Sequence, residues 1–546
     1  MLNPETSDSE SAPIQGNPIS REMGRRKYAY HPVIFVLTFF SYAFFHMSRK
    51  TFSNVKTTIS EEWTPSFHNA TVCETKPDSI WNTRNMFSSP SAVEPYLGIL
   101  DAAFMISYAV GLFISGIVGD RLNMRYVLTF GMCSTAVMVF LFGCVLEWVH
   151  LYNKYLYIFL WIINGLLQST GWPTVVAVMG NWFGRSSRGL VFGLWSACAS
   201  VGNILGALMV SAVLDYGYQY AFLFTSAMLF AGGIINFFGL VTSPRELGLP
   251  AADEDAKGTT GAGDRGRYRD TSFTSLTPPL TDALLDEEAL LSVQEESDDD
   301  GQPTVQVSGG PRPAINFCTA LLLPGVILYS LAYAFLKLVN YSFFFWLPYY
   351  LANAYHWKET VADSISIWYD VGGIVGGTIG GFISDRFERR AIVVIPMLGL
   401  AIPSLFIYGN SPANLTINSF LMSVAGFFIG GVANLVSAAV AADLGNQGPI
   451  QGNTEALATV TGIIDGTGSV GAAIGQILVP VIQRALGWRA VFYLFMICTF
   501  LTGVCIFPLF VRELKDICSN YQYSWHRGLR RRQPRRGSQE DQAVWE

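Results

Sequence analysis

The sequence predicts an all-α membrane protein with twelve transmembrane helices arranged as two halves of six. Three observations carry that prediction. Of the 546 residues, 51% are hydrophobic and only 14% charged, and the mean hydropathy is +0.33. A water-soluble chain this apolar would expose large sticky patches. Apolar stretches recur at the roughly 20 residues a helix needs to span a bilayer. A short motif also repeats six stretches apart.

In chain order, residues 1–27 are polar and acidic, carry no secretory signal pattern, and are expected to be disordered and cytosolic. Spans follow near 32–53, 97–119, 126–147, 155–179, 189–213 and 220–242, making a first half over 28–242. Residues 243–313 are rich in Gly, Ser, Thr, Asp and Glu. They cannot bury enough apolar surface to fold and read as a disordered cytosolic linker. The second half, 314–512, has spans near 324–351, 361–384, 391–408, 417–440, 454–482 and 490–511, and a basic tail closes the chain over 513–546.

Orientation follows from the basic residues. Arg25, Arg26, Lys27, Arg121, Arg125, Arg185, Arg188, Arg386, Arg389, Arg390 and Arg530 to Arg532 fall on one side of a twelve-span chain. The positive-inside rule puts that side, both termini and the linker in the cytosol. The sequons at Asn69 and Asn414 then fall on the outer or lumenal side as glycosylation candidates. A third sequon, at Asn340, lies within a span and is set aside. The eight cysteines make no disulfide framework and no CxxC, and no metal cluster, P-loop or GxSxG is present. An enzyme, a cofactor and a nucleic-acid partner are therefore not expected.

Arg49 and Lys50 close the first span. Each charge at mid-membrane costs about 2.5–3.5 kcal/mol, so the pair must meet the water interface or a wet cavity. It is either a snorkelling pair at a helix end or an anion site. The repeated motif is Gly116 to Arg121 after the second span and Gly381 to Arg386 after the eighth. Its glycines permit close helix contact. Asp120 and Asp385 are placed to cap or pair at the helix ends, with Arg121 and Arg386 at the cytosolic surface. Two copies six spans apart resemble the major facilitator superfamily, whose halves pack around a midplane substrate site.

A narrower resemblance runs from Tyr28 to about Arg512. Ser48-Arg49-Lys50, Gly171-Trp172-Pro173, Asn181-Trp182-Phe183-Gly184 with Arg188-Gly189, and Trp195 are similar to the organophosphate:phosphate antiporter family. Asn54-Val55-Lys56, the stretches 196–203 and 341–348, and Asp465-Gly466-Thr467-Gly468-Ser469 resemble its eukaryotic sugar phosphate exchangers. The resemblance implies a phosphate clamp of one arginine from helix 1 and one from helix 7. Arg49 matches the first, and Lys50 is its neighbour. The helix 7 position reads Asn340, with Lys337 one turn earlier as a point charge in place of a fork. The helix 2 lysine of bacterial members falls on Leu112, and 195–201 lacks the helix 5 histidine. Asp370 matches a carboxylate position and is a candidate partner for Lys337 when no anion is bound.

Six further residues complete the candidate set. His46 shares a face with Arg49, Trp172 and Tyr341 are cavity candidates with Tyr42 and Trp368, and Asp465 heads a small-residue run read mainly as a packing face. The function this implies is alternating-access exchange of phosphate-bearing organic anions, sugar phosphate or phosphonate-like. The substituted positions argue against glucose-6-phosphate/phosphate exchange itself. Another anion, an accessory membrane subunit beside the surrounding lipid, or no transport at all would each accommodate them. The rival is a membrane receptor or scaffold that keeps the transporter shell. For location, the resemblance implies the endoplasmic reticulum, while Glu287, Glu288, Leu290 and Leu291 form an acidic dileucine pattern that points to lysosomes.

Overall fold

The computed structural model describes residues 18–64, 81–88, 90–183, 188–249, 316–387, 389–445 and 457–532. Asn69, the dileucine pattern, residues 1–17 and 250–313 of the expected linker lie outside the described residues. All regular structure among the described residues is helical.

The first half contains α1 (Pro18–Asn54), α2 (Lys56–Glu62), α3 (Pro90–Arg121) and α4 (Met124–Phe140). A π-helical turn over Leu141–Val145 leads into α5 (Leu146–Trp148). Next come α6 (Lys154–Gln168), α7 (Gly171–Trp182), α8 (Arg188–Trp195), α9 (Ala197–Val213) and α10 (Tyr218–Gly239). The second half contains α11 (Phe317–Leu322), α12 (Val326–Tyr355), α13 (Glu359–Phe387), α14 (Ala391–Gly409) and α15 (Leu415–Asn434). A π-helical stretch over Leu435–Val440 precedes α16 (Ala441–Leu444), and α17 (Leu457–Leu486) and α18 (Trp488–Arg532) follow.

Among the described residues, ten helices are long and apolar enough to cross a membrane. The other two expected segments are helical but differ for physical reasons. The segment 155–179 is divided between α6 and α7. Pro173 has no N–H to give to the Ser169 carbonyl, and that carbonyl instead accepts the Ser115 hydroxyl at 2.8 Å. In α13, Asp363, Asp370 and a run of glycines dilute the apolar residues.

Three expected boundaries move. The first helix already begins at Pro18, inside the stretch expected to be disordered. The linker's first residues are docked, because Pro244–Leu247 forms a 3-10 turn whose Glu246 pairs with Arg125 at 3.1 Å. The last helix continues to Arg532, so the expected tail begins as helix.

The two halves meet along helices that the motif relates. Gly116 of the first copy lies against α17, and a methyl group there would come within 2.8 Å of the Ala458 carbonyl. Gly462 returns the contact: a methyl on it would lie 2.6 Å from the Leu112 carbonyl. In the other seam, a methyl on Gly193 of α8 would lie 2.7 Å from the Gly377 carbonyl of α13, one turn before the second motif copy. Asp385 accepts from Arg390 at 2.9 Å, while Arg386 and Arg121 are exposed in the last turns of their helices, where cations are favoured. The side chain of Asp120 lies outside the described residues. Asn414 is exposed and caps α15, its side-chain oxygen accepting from the Ile417 N–H at 3.1 Å.

At the end of the bundle beyond α1, Arg84 joins Glu62 (2.9 Å) and Glu147, whose carboxylate also accepts from Tyr218 at 2.6 Å and Tyr152 at 3.0 Å. Burial pushes the Glu62 carboxyl above its usual range, with Arg84 pulling against it. This cluster staples the loop after α2 to α5 and α10.

Candidate functional site

Arg49 is 2% exposed and lies between the halves. Its Nε donates to Gln168 Oε1 of α6 at 2.6 Å, and its Nη1 donates to the Tyr341 hydroxyl of α12 at 3.4 Å. The guanidinium lies 4.3 Å from the Tyr108 ring centre and 5.9 Å from that of Tyr42. Gln168 is held in turn, since its amide donates to Ser48 and to Asn164, each at 3.2 Å. Nη2 is buried and finds no acceptor among the described residues. The helix-end snorkelling reading of Arg49 therefore fails.

Lys337 is also buried, at 1% exposed. The expected pairing with Asp370 is not what forms. Lys337 Nζ instead donates to Asp465 Oδ1 at 2.5 Å, Ser469 Oγ at 2.8 Å and the Asp465 carbonyl at 3.4 Å. The small-residue run explains the change. A methyl on Gly471 would lie 2.0 Å from the Ala334 carbonyl, so α17 packs backbone-close to α12 and carries Asp465 into reach. The run is a packing face as expected, and it also delivers the carboxylate. Tyr108 donates to Asp465 Oδ2 at 3.4 Å, so Tyr108 and Tyr341 stand between Arg49 and Lys337.

Lys50 does not join that cluster. Consecutive residues on a helix diverge by about 100°, and Lys50 turns into a cavity with His46, Asn203, Asn340, Tyr341 and Asp370. Its Nζ donates to the Phe344 carbonyl at 3.1 Å. His46 Nδ1 and Asn203 Oδ1 are 3.0 Å apart, and Asn203 Nδ2 donates across the halves to Asp370 Oδ1 at 2.8 Å. Asn340 accepts from Tyr369 at 2.8 Å. The three expected cations thus occupy two compartments, with Tyr341 bordering both.

Trp172 does not line the Lys50 cavity; its indole N–H donates to the Ser437 carbonyl of the opposite half at 3.2 Å. Trp368 is 47% exposed on the outer surface. Leu112 is buried and places no charge at the helix 2 position.

Several polar residues escaped the sequence reading. Asn164 and Gln168, spaced i and i+4 on an apolar segment, were the available signal for a polar face. Asn203 is the polar group helix α9 supplies in the region where no histidine stands. Lys56 forms a salt bridge with Asp101 and lies 5.2 Å from the ring centres of Phe345 and Trp346.

The family model described as Major Facilitator Superfamily matches residues 38–452 and 329–517. Sugar phosphate exchanger 3 of Gallus gallus is 56% identical over 488 residues, covering 89% of this chain and 93% of that protein. Sugar phosphate exchanger 3 of Bos taurus is 57% identical over 497 residues, covering 90% and 95%. The crystal structure of the human organic anion transporter MFSD10 (TETRAN) aligns with a TM-score of 0.56 at 14% identity, covering 87% of this chain and 98% of that one. That likeness speaks to fold alone, and it agrees with the two related seams. The chain belongs to the major facilitator superfamily, in the branch that holds the sugar phosphate exchangers.

Proposed function

We propose that this chain exchanges small phosphate-bearing organic anions across an intracellular membrane by alternating access, with Arg49 as the anion's anchor. The names of its relatives support the substrate class. One observation carries the site: a buried guanidinium, without a carboxylate partner among the described residues, keeps one donor nitrogen unused. A buried charge left this way is costly unless something neutralises it. A bound anion does so, and a charge-assisted hydrogen bond to Nη2 is the strong kind.

In this reading the halves 28–242 and 314–512 rock about the Arg49–Tyr341 contact. Both termini and the linker face the cytosol, and Asn69 and Asn414 face the lumen of the endoplasmic reticulum or lysosome. Glucose-6-phosphate/phosphate exchange itself is disfavoured, because Leu112 supplies no charge and Lys337 is already engaged by Asp465.

The test is uptake into proteoliposomes of purified protein across a panel of phosphates and phosphonates. Arg49→Gln is expected to lower uptake by about 10- to 100-fold, the equivalent of one hydrogen bond to a charged group at about 1.5–3 kcal/mol. Arg49→Lys should recover little, since an ammonium lacks the planar fork. Unchanged uptake in Arg49→Gln sinks the assignment. The engaged state of Lys337 and Lys50 favours one rival, a receptor or scaffold. Silence of the wild-type protein toward every anion, with and without an added membrane partner, would favour that rival.

A further inference from the structure

We propose that Asp465 sets the anion charge this site accepts at one. The inference rests on the exchange reading above. It comes from counting charges and donors around Arg49. Lys337 brings a second positive charge next to the guanidinium, and the two share the Tyr108 and Tyr341 rings. Asp465 cancels that charge at 2.5 Å.

Donor geometry agrees with the charge count. An ammonium has three protons, and those of Lys337 are directed to Asp465 Oδ1, the Asp465 carbonyl and Ser469 Oγ. The second Asp465 oxygen accepts from Tyr108. Nothing on Lys337 remains to bind a solute, whereas Arg49 keeps Nη2. The titratable groups facing this cluster are Tyr42, His46 and Arg49 from α1, Tyr108 from α3, Tyr333 and Tyr341 from α12, and Asp465 itself from α17. Besides Arg49, only His46 among them can carry a positive charge; it lines the adjoining cavity with Nδ1 3.0 Å from Asn203 Oδ1, and as the neutral imidazole it leaves the count unchanged. Lys50, in the adjoining cavity, has Asp370 and Asp363 as its own acidic neighbours. The net positive charge at the anchor is therefore one. A monoanion neutralises it, while a dianion would bring one uncompensated charge into a buried site.

Asp465 thus acts as a specificity residue through Lys337. Removing its charge frees Lys337 for a second anionic oxygen, and the acceptable charge rises to two. The probes are methyl phosphate, whose second ionisation falls near pH about 6 as for other phosphate monoesters, and dimethyl phosphate, which carries one charge throughout. Uptake into proteoliposomes is followed from pH about 5 to about 8.

Wild-type uptake of methyl phosphate, divided by that of dimethyl phosphate, should fall about tenfold per pH unit once the dianion dominates. Asp465→Asn should abolish that fall. Its folded state should also gain more thermal stability from methyl phosphate at pH about 8 than the wild type does. Lys337→Met/Asp465→Leu, which deletes both charges together, should keep the wild-type profile. Should Asp465→Asn not fold, the wild-type and double-variant profiles still decide the matter. A wild-type ratio that stays flat or rises with pH overturns the inference. So does an Asp465→Asn profile matching the wild type in a protein whose uptake still requires Arg49. Loss of all uptake of both probes in the wild type is a different result, and brings down the exchange reading itself.

Discussion

The two seams between the halves are related by the repeat but are closed by different means. Along α3 and α17 the closure is backbone on backbone, with Gly116 and Gly462 facing each other and no room for a solute. Along α9 and α13 it is made by side chains, Asn203 to Asp370, beside a cavity that also holds Lys50 and His46. The glycine seam is the dry one and the polar seam beside the cavity the one open to wetting, with Tyr341 touching Arg49 on one side and the cavity on the other.

The sharpest separation of the two regions is energetic. The Lys337–Asp465 pair, beside the dry seam, is fully buried, so removing one partner strands a charge. Lys337→Met should destabilise the protein by about 3–5 kcal/mol, and Lys337→Met/Asp465→Leu should restore most of that. In the wet seam, Asp370→Ala loses one hydrogen bond to a charged group and should cost about 1.5–3 kcal/mol. Thermal unfolding in detergent reads both. Equal losses would mean that the two regions do not differ in dryness.

A smaller effect distinguishes a seam that opens from packing that does not. A methyl on Gly462 would lie 3.1 Å from Gly116 Cα, across the halves. A methyl on Gly376 would lie 2.1 Å from the Phe427 carbonyl, inside the second half. Overpacking costs about 1–3 kcal/mol in either place. Gly462→Ala can escape by parting α3 from α17, so it should shift the conformational population and leave Tm nearly unchanged. Gly376→Ala has no such escape and should lower Tm. A drop in Tm for Gly462→Ala without faster cysteine labelling along α17 would show the seam to be permanent.

How much of this was legible in the sequence depended on whether the information was local. Span positions were readable from apolar length, and Arg49 and Lys337 from the rule that charge in an apolar segment needs a reason. Partners were not. Helical spacing says which face Lys337 occupies but not that Asp465, rather than the expected Asp370, will stand opposite. The glycines around Asp465 read as packing because that is what they do. Their second effect, bringing α17 close enough for a salt bridge, exists only once α12 is in place. Likewise the span expected near 155–179 runs unbroken through Pro173, and the capture of the freed carbonyl by Ser115 is a tertiary fact. Helix extent at Pro18 and Arg532 was hidden because polar residues outside the bilayer carry no hydropathy signal.

Trp172 offers the finest test, since sequence and structure give it different roles. As a cavity wall it would touch solute, and its replacement would change KM. The structure makes it a clasp: its N–H reaches the Ser437 carbonyl in the π-helical stretch of the opposite half, and its ring stacks on Trp195 at 5.4 Å. Trp172→Phe keeps an aromatic ring against Trp195 and loses one neutral hydrogen bond, worth about 0.5–1.5 kcal/mol. That bond exists only while α7 and Leu435–Val440 are together. Its loss should therefore favour their separation by about two- to tenfold, seen as a faster modification rate at a cysteine placed at Ser200 on the cavity wall, with KM for the transported anion unchanged. The opposite pattern, an altered KM at an unaltered labelling rate, would put Trp172 back on the solute's path and make the contact with Ser437 incidental.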